Sequence, residues 1–276
     1  METLNTKKRA KGSNISINLL FEFFKNLNSS DLPEENPPFL PDVQELNDII
    51  NASISENEIY NCIKELKNGK ACGDDLIINE YIKCTCNILM PLYVKIFNIV
   101  FNSGNVPESW LVGNIIPFYK NKGDQKDPQN YRPITILSCM GKLFTSILNC
   151  RLCKFLDSYL LLKENQFGFR KGYSTTDSIF VLQILFELLK KKKKKLYCAF
   201  IDFAKAFDTV WRSGLWSKLI GYSVNGKMYN VIVNMYSNIK SRISYESEFS
   251  EYFPCNIGVR QGENLSPILF LYMSMI

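Results

Sequence analysis

Two aspartates six positions apart, Asp202 and Asp208, close the segment Tyr197-Cys198-Ala199-Phe200-Ile201-Asp202-Phe203-Ala204-Lys205-Ala206-Phe207-Asp208. From Tyr197 to Phe203 every residue but Asp202 is apolar or aromatic, the composition of a strand buried on both faces. An ionised carboxylate delivered by such a strand is costly unless a cation or a hydrogen-bond network receives it. A divalent metal is the natural recipient. The plainer reading is a helix cap, because Asp202 or Phe203 would precede Ala204-Lys205-Ala206-Phe207 and Asp is a good N-cap. The local sequence leaves both readings open.

The rest of the composition narrows the chemistry. None of the 276 residues is His, which excludes Ser-His and Cys-His nucleophiles and His-based proton transfer. Carboxylates, lysines or metals must do any catalysis. The nine cysteines are odd in number and sit mainly in apolar patterns, which suits reduced thiols. Cys150-x-x-Cys153 has no second pair at zinc-ribbon spacing, so no zinc site is expected. The net charge of +6 equals the six positive charges of Lys190 to Lys195, and without that run 27 basic residues balance 27 acidic ones. A solvated lysine turn is the usual meaning of such a run, with phosphate contact the alternative.

Met1 to Gly12 is polar and basic without an apolar core, unlike a secretory signal. No uninterrupted apolar stretch reaches the length of a membrane span; Ile179 to Leu189 is short and carries Gln183 and Glu187. The expectation is an intracellular, cytoplasmic or nuclear protein, neither secreted nor membrane-spanning.

The elements that must position the aspartates follow from periodicity. Residues 1–55, with Leu32-Pro33-Glu34-Glu35-Asn36-Pro37-Pro38, read as a linker arm. Ser55-Glu56-Asn57-Glu58 is a capping box, and the helix it opens should stop at Asn68-Gly69. A longer helix from Leu76 to about Asn102 should break near Pro91. Trp110 to Tyr119 reads as a strand closed by a charged Gly turn, and Gly141 to Leu156 as an amphipathic helix. Gln166 to Thr176 is a loop or short strand, followed by Asp177 to Lys190, a helix apolar enough to be buried on most sides. Beyond the Asp202 strand come helices at Leu215 to Ile220 and Lys227 to Ile239, then strands near Arg242 to Glu246 and Tyr252 to Ile257. A final helix opens at Ser266-Pro267. Helices with mostly antiparallel strands make the fold class α+β.

In order along the chain stand Leu66-Lys67-Asn68-Gly69-Lys70-Ala71-Cys72-Gly73-Asp74-Asp75, then Ile115-Ile116-Pro117-Phe118-Tyr119-Lys120 with Asn130-Tyr131-Arg132-Pro133-Ile134. Gln166-Phe167-Gly168-Phe169-Arg170-Lys171-Gly172 with Ser174-Thr175-Thr176 comes next, and after the Asp202 segment Gly258-Val259-Arg260-Gln261-Gly262-Glu263-Asn264-Leu265-Ser266-Pro267. Each block alone is weak, but the ordered set resembles the reverse transcriptase domain of non-LTR (LINE-type) retrotransposons over roughly residues 45–276. The resemblance implies a right-hand polymerase fold with a fingers-like region at 56–196 and a partial palm at 197–276, the thumb missing. It implies an RNA-directed DNA polymerase that takes an RNA template, a DNA primer and dNTPs and uses two Mg²⁺ ions.

By that resemblance Asp202 is the catalytic carboxylate on both metals, with a backbone carbonyl from Ile201 or Phe203. Lys120 and Arg132, with Lys122 less firmly, neutralise the triphosphate, and Phe207 packs under the sugar, where plain core packing is the alternative. Gln261 and Gly262 lie beside the nucleotide. Arg170, Arg260, Ser266 and Pro267 face the template. Asp208 matches a second acid that is not itself a metal ligand, and reads as structural or as lying just behind the metal ligands. The family's aromatic-x-Asp-Asp block does not occur before Ile276, and Asp74-Asp75 lies in a different block. Two-metal transfer needs several carboxylates, so little or no polymerase activity is expected of these residues alone. The alternatives are a non-catalytic RNA-binding fragment using Arg132, Arg170 and the lysine run, and an unstable remnant with an exposed apolar helix end at Ile268 to Ile276.

Overall fold

The computed structural model describes residues 15–29 and 46–275; residues 1–14, 30–45 and 276, including the Pro-rich stretch, lie outside the described residues. Ten helices and five strands follow in the order α1 (Ile17–Leu27), α2 (Asp48–Asn51), α3 (Glu56–Glu65), α4 (Asn79–Ser103), α5 (Glu108–Leu111), β1 (Val112–Tyr119), β2 (Tyr131–Ile136), α6 (Cys139–Ser158), α7 (Thr175–Lys191), α8 (Arg212–Gly221), α9 (Gly226–Ser237), β3 (Lys240–Tyr245), β4 (Glu248–Phe249), β5 (Phe253–Pro254) and α10 (Ser266–Ser274) among the described residues.

The fold is mixed α/β around a small mixed sheet in the order β2-β1-β3-β4, with β5 also on β3. β1 and β2 form an antiparallel hairpin from Asn114 opposite Ile136 to Tyr119 opposite Tyr131. β1 runs parallel to β3, with Val112 opposite Lys240, which makes the sheet mixed; the other three pairings among the described strands are antiparallel, in line with the expectation of mostly antiparallel strands. The long excursion between these two strands holds α6 to α9, and it permits a parallel pair where a short turn would not.

At the centre of the core Phe97 of α4, Phe144 of α6 and Trp110 of α5 pack with ring centroids 5.5 to 6.0 Å apart, and α9 packs against α4. The α3 capping box forms as the sequence indicates, with the Glu58 carboxylate accepting from the Ser55 N–H at 3.0 Å. Pro91 does not break α4, because Pro91 and Asn87, whose carbonyl loses its partner, both lie on the solvent side. α4 is long and apolar enough to cross a membrane by length and composition; here Ile82, Cys86, Met90, Phe97 and Phe101 bury one face in the core.

Three expectations are corrected. Described parts of the supposed linker arm are structural: Leu20, Phe21 and Phe24 of α1 and Ile50 of α2 are buried. Phe21 meets Phe253 of β5 edge-on at 5.6 Å. α7 forms, on a Ser174–Asp177 capping box with Lys190 and Lys191 in its last turn, yet none of its residues is buried. The apolar end of α10 is instead enclosed, Ile268, Leu269, Leu271 and Tyr272 packing inward. Exposed apolar surface therefore lies on α7 and on residues 197–203, not on α10.

Candidate nucleotide site

Between β2 and the turn at 204–209 the loop Gly258–Gly262 acts as a stitch. The Val259 N–H donates to the Phe207 carbonyl at 2.8 Å and the Gly258 N–H to the Val210 carbonyl at 2.9 Å. Two residues on, the Gln261 carbonyl accepts from the Thr135 N–H of β2 at 2.8 Å. Both glycines are required by these approaches. Gly258 has φ +79, and a Cβ there would lie 2.6 Å from the Asp208 carbonyl oxygen; Gly262 has φ +115, and its Cβ would lie 2.5 Å from the Thr135 carbonyl oxygen.

Asp208 sits in this stitch, buried, with Gln261 Nε2 donating to its Oδ1 and Oδ2 at 3.2 and 3.1 Å. Burial pushes its carboxyl up to about 6, against the opposing pull of the Gln261 hydrogen bonds and of Lys205 and Lys120. Phe207 is half-buried, its ring stacked on Phe270 at 5.3 Å and edge-on to Phe169 at 6.1 Å. The Phe169 contact brings the Gln166–Gly172 block against the same turn.

On the hairpin, Lys120 Nζ donates to the Gln129 carbonyl at 2.7 Å, and Arg132 is exposed on β2 opposite Phe118. Lys122 is exposed in the turn between the strands. The guanidinium of Arg170 lies over the Tyr173 ring at 4.1 Å and donates to the Lys163 carbonyl at 3.3 Å.

The Asp202 segment differs most from expectation. Residues 197–203 form no strand, and Tyr197, Phe200 and Ile201 are about 85% exposed. A strand buried on both faces needs a neighbour on each side, and the described sheet offers this segment none. Asp202 is exposed, and Phe203 meets Phe270 edge-on at 6.3 Å. Among the described residues no three His, Cys, Asp or Glu side chains gather as a metal site would require.

Two of the expected template contacts are also corrected. Arg260 is buried and donates to the Trp110 and Leu111 carbonyls and, at 2.8 Å, to Glu263. The Glu263 carboxylate in turn accepts from the Tyr236 hydroxyl at 2.6 Å, whose oxygen lies 3.3 Å from Ser266 Oγ, itself 1% exposed. Arg260 and Ser266 thus brace the loop from below rather than face solvent. Pro267 stands in the first turn of α10, as its fixed φ favours. The Arg260-x-x-Glu263 spacing was a readable sign of this ion pair. Arg212 had no such sign: its guanidinium donates to the carbonyls of Gly258, Tyr236 and Ile257, contacts that only the fold creates.

Comparison with known proteins gives the family of the chain. A family model described as reverse transcriptase (RNA-dependent DNA polymerase) matches residues 120–275. The chain is similar to the probable RNA-directed DNA polymerase from transposon X-element of Drosophila melanogaster, 26% identical over 258 residues, covering 88% of this chain and 28% of that protein. To the RNA-directed DNA polymerase from mobile element jockey of the same species it is 29% identical over 220 residues, covering 79% and 24%. To the retrovirus-related Pol polyprotein from type-1 retrotransposable element R2 of Popillia japonica it is 31% identical over 172 residues, covering 60% and 23%. The chain thus spans about a quarter of the length of these curated relatives. The matched stretch takes in the hairpin turn, the Asp202 turn and the stitching loop, and the chain belongs to the reverse transcriptase family.

Proposed function

We propose that these residues form the nucleotide-receiving part of an RNA-directed DNA polymerase of a non-LTR retrotransposon, with a fingers-like region at 56–196 and a first part of the palm at 197–276. One observation carries the reading: Gly258–Gly262 is hydrogen-bonded to the Phe207–Val210 turn and to β2 at once. Sequence blocks far apart in the chain therefore converge on one place. Lys120 and Arg132 would neutralise the triphosphate, since phosphoryl transfer is largely positioning and charge stabilisation. Phe207, seated on Phe270, would support the sugar, and Gln261 and Gly262 would line the nucleotide. Arg170 and Pro267 would border the template.

Reverse transcriptases work with divalent metal ions. Of such a centre these residues supply Asp202, an exposed carboxylate with no cluster around it, which does not by itself fit a metal site. What these residues are proposed to contribute to that polymerase is binding of nucleotide and template. Titration with a fluorescent dNTP and with a primer annealed to RNA tests it. Lys120→Ala and Arg132→Ala are each expected to weaken dNTP binding several-fold, and affinity for primer-template should fall as salt rises. Nucleotide affinity indifferent to both substitutions would overturn the site. Primer extension with Mg²⁺ or Mn²⁺ is expected to be weak or absent; robust extension abolished by Asp202→Ala would overturn the restriction to binding.

A further inference from the structure

We propose that Asp208 is a positioning residue for Gln261, fixing its side-chain amide with the nitrogen turned inward and the oxygen turned towards the nucleotide. The inference rests on the reading of Gln261 as a nucleotide contact. It gives that contact an orientation and a cause.

Gln261 Nε2 donates to both carboxylate oxygens of Asp208, at 3.2 and 3.1 Å. An amide that spends its nitrogen on one side carries its oxygen on the other, so the acid selects one of two otherwise equivalent orientations. Neither partner can drift. The Asp208 N–H donates to the Lys205 carbonyl at 2.9 Å, and the Gln261 carbonyl is tied to Thr135. Gly258 presses on the Asp208 backbone so closely that no side chain would fit between them. The pair is a rigid part of the stitch.

Only an ionised acid enforces the orientation. A carboxylate accepts and cannot donate, whereas a protonated acid donates equally well to Gln261 Oε1 and lets the amide turn over. Lys205 from the same turn and Lys120 from the hairpin favour the ionised form, while burial opposes it more strongly, and the carboxyl is pushed up to about 6. Arg212, Arg260 and Cys255 line, with Asp208 and Gln261, a cavity of about 20 Å³, room for a single water. The amide should therefore lose its fixed orientation as the pH falls from 7.5 to 5.

The test uses the 276-residue chain labelled with ¹⁵N in its glutamine side chains, the Gln261 signal being identified by its loss in Gln261→Glu. In the wild type the Gln261 NH₂ resonance is expected to move with a midpoint near 6, and in Asp208→Asn to stay flat over the same range. Affinity for a fluorescent dNTP should be about 3- to 10-fold weaker in Asp208→Ala than in the wild type at pH 7.5, the worth of one oriented hydrogen bond. That gap should close at pH 5. Comparing proteins at equal pH cancels the ionisation of the nucleotide itself. Asp208→Asn, nearly isosteric, keeps the titration arm readable if Asp208→Ala fails to fold. A role in folding alone would leave the Gln261 signal indifferent to pH; that result, or an identical titration in Asp208→Asn, overturns the proposal. Titration through Asp208 with nucleotide affinity unchanged in both variants overturns instead the nucleotide role of Gln261, and with it the purpose of the pair.

Discussion

Replacing Asp208 by Asn should stabilise the protein at neutral pH, the reverse of what removing a buried hydrogen-bonding group usually does. The carboxyl rises from 3.8 to about 6 in the folded chain because burial outweighs the hydrogen bonds from Gln261 and the attraction of Lys205 and Lys120. A folded-state value above the unfolded one means that the native protein binds the proton more tightly. The stabilisation from Asp208 is thus complete below 3.8 and is lost as the pH rises through 6. At 1.36 kcal/mol per pH unit, the shift corresponds to a penalty of at most about 3 kcal/mol at pH 7.5. A weaker bond from Gln261 to a neutral amide would return about 1 kcal/mol of it. Urea unfolding of wild type and Asp208→Asn at pH 4, 5, 6 and 7.5 is the assay. The variant is expected to be more stable by about 1–3 kcal/mol at pH 7.5 and no more stable than wild type at pH 4. Glu58 does not confuse the comparison, since both proteins carry it. A variant less stable at pH 7.5, or a difference that ignores pH, would refute the assignment of burial as the dominant influence on Asp208.

The Arg151–Glu58 pair should behave in the ordinary direction. Arg151 is 3% exposed, grips Glu58 at 2.7 and 2.9 Å, and donates to the carbonyls of Ala52 and Ser53, tying α6 to the chain ahead of α3. Arg151→Leu strands these acceptors and should cost about 3–5 kcal/mol by urea unfolding; a loss under about 1 kcal/mol would show the clamp to be dispensable. Burial raises Glu58 but the hydrogen bonds and charge of Arg151, with Ser55, bring it down to about 2, so its contribution is present above 4.5 and lost as the pH falls towards 2. On α7, Leu185→Glu should change stability by less than about 0.5 kcal/mol, against about 2–5 kcal/mol for Leu152→Ala in α6. Leu185 is 46% exposed and Leu152 fully enclosed. Binding of a hydrophobic dye should fall in Phe180→Glu and Phe186→Glu; dye binding indifferent to both would place the apolar surface elsewhere.

What the sequence makes legible here is whatever depends on neighbours in the chain. The Ser55–Glu58 box, the end of α4 near Asn102 and the start of α10 at Ser266-Pro267 are local, and each forms where its residues indicate. The hairpin carrying Lys120 and Arg132 is nearly as local, its strands joined by a charged Gly turn. Burial is a different kind of statement, because apolar composition says that a segment can be buried and not what will cover it. α7 and residues 197–203 have the composition of an interior and lie exposed, while Ile268 to Tyr272, equally apolar, find α8 and α6. The same distinction runs through the charges. Arg260 and Arg132 are both arginines in matched blocks, yet one is enclosed by Glu263 and two carbonyls while the other stands on the open face of β2. A motif fixes which residue types recur, and the fold decides which of them still has a free hand for a phosphate. Asp208 shows how far this goes. Read from the sequence it is a structural acid beside a more interesting one, yet of the two aspartates it is the one the fold buries and pairs with Gln261.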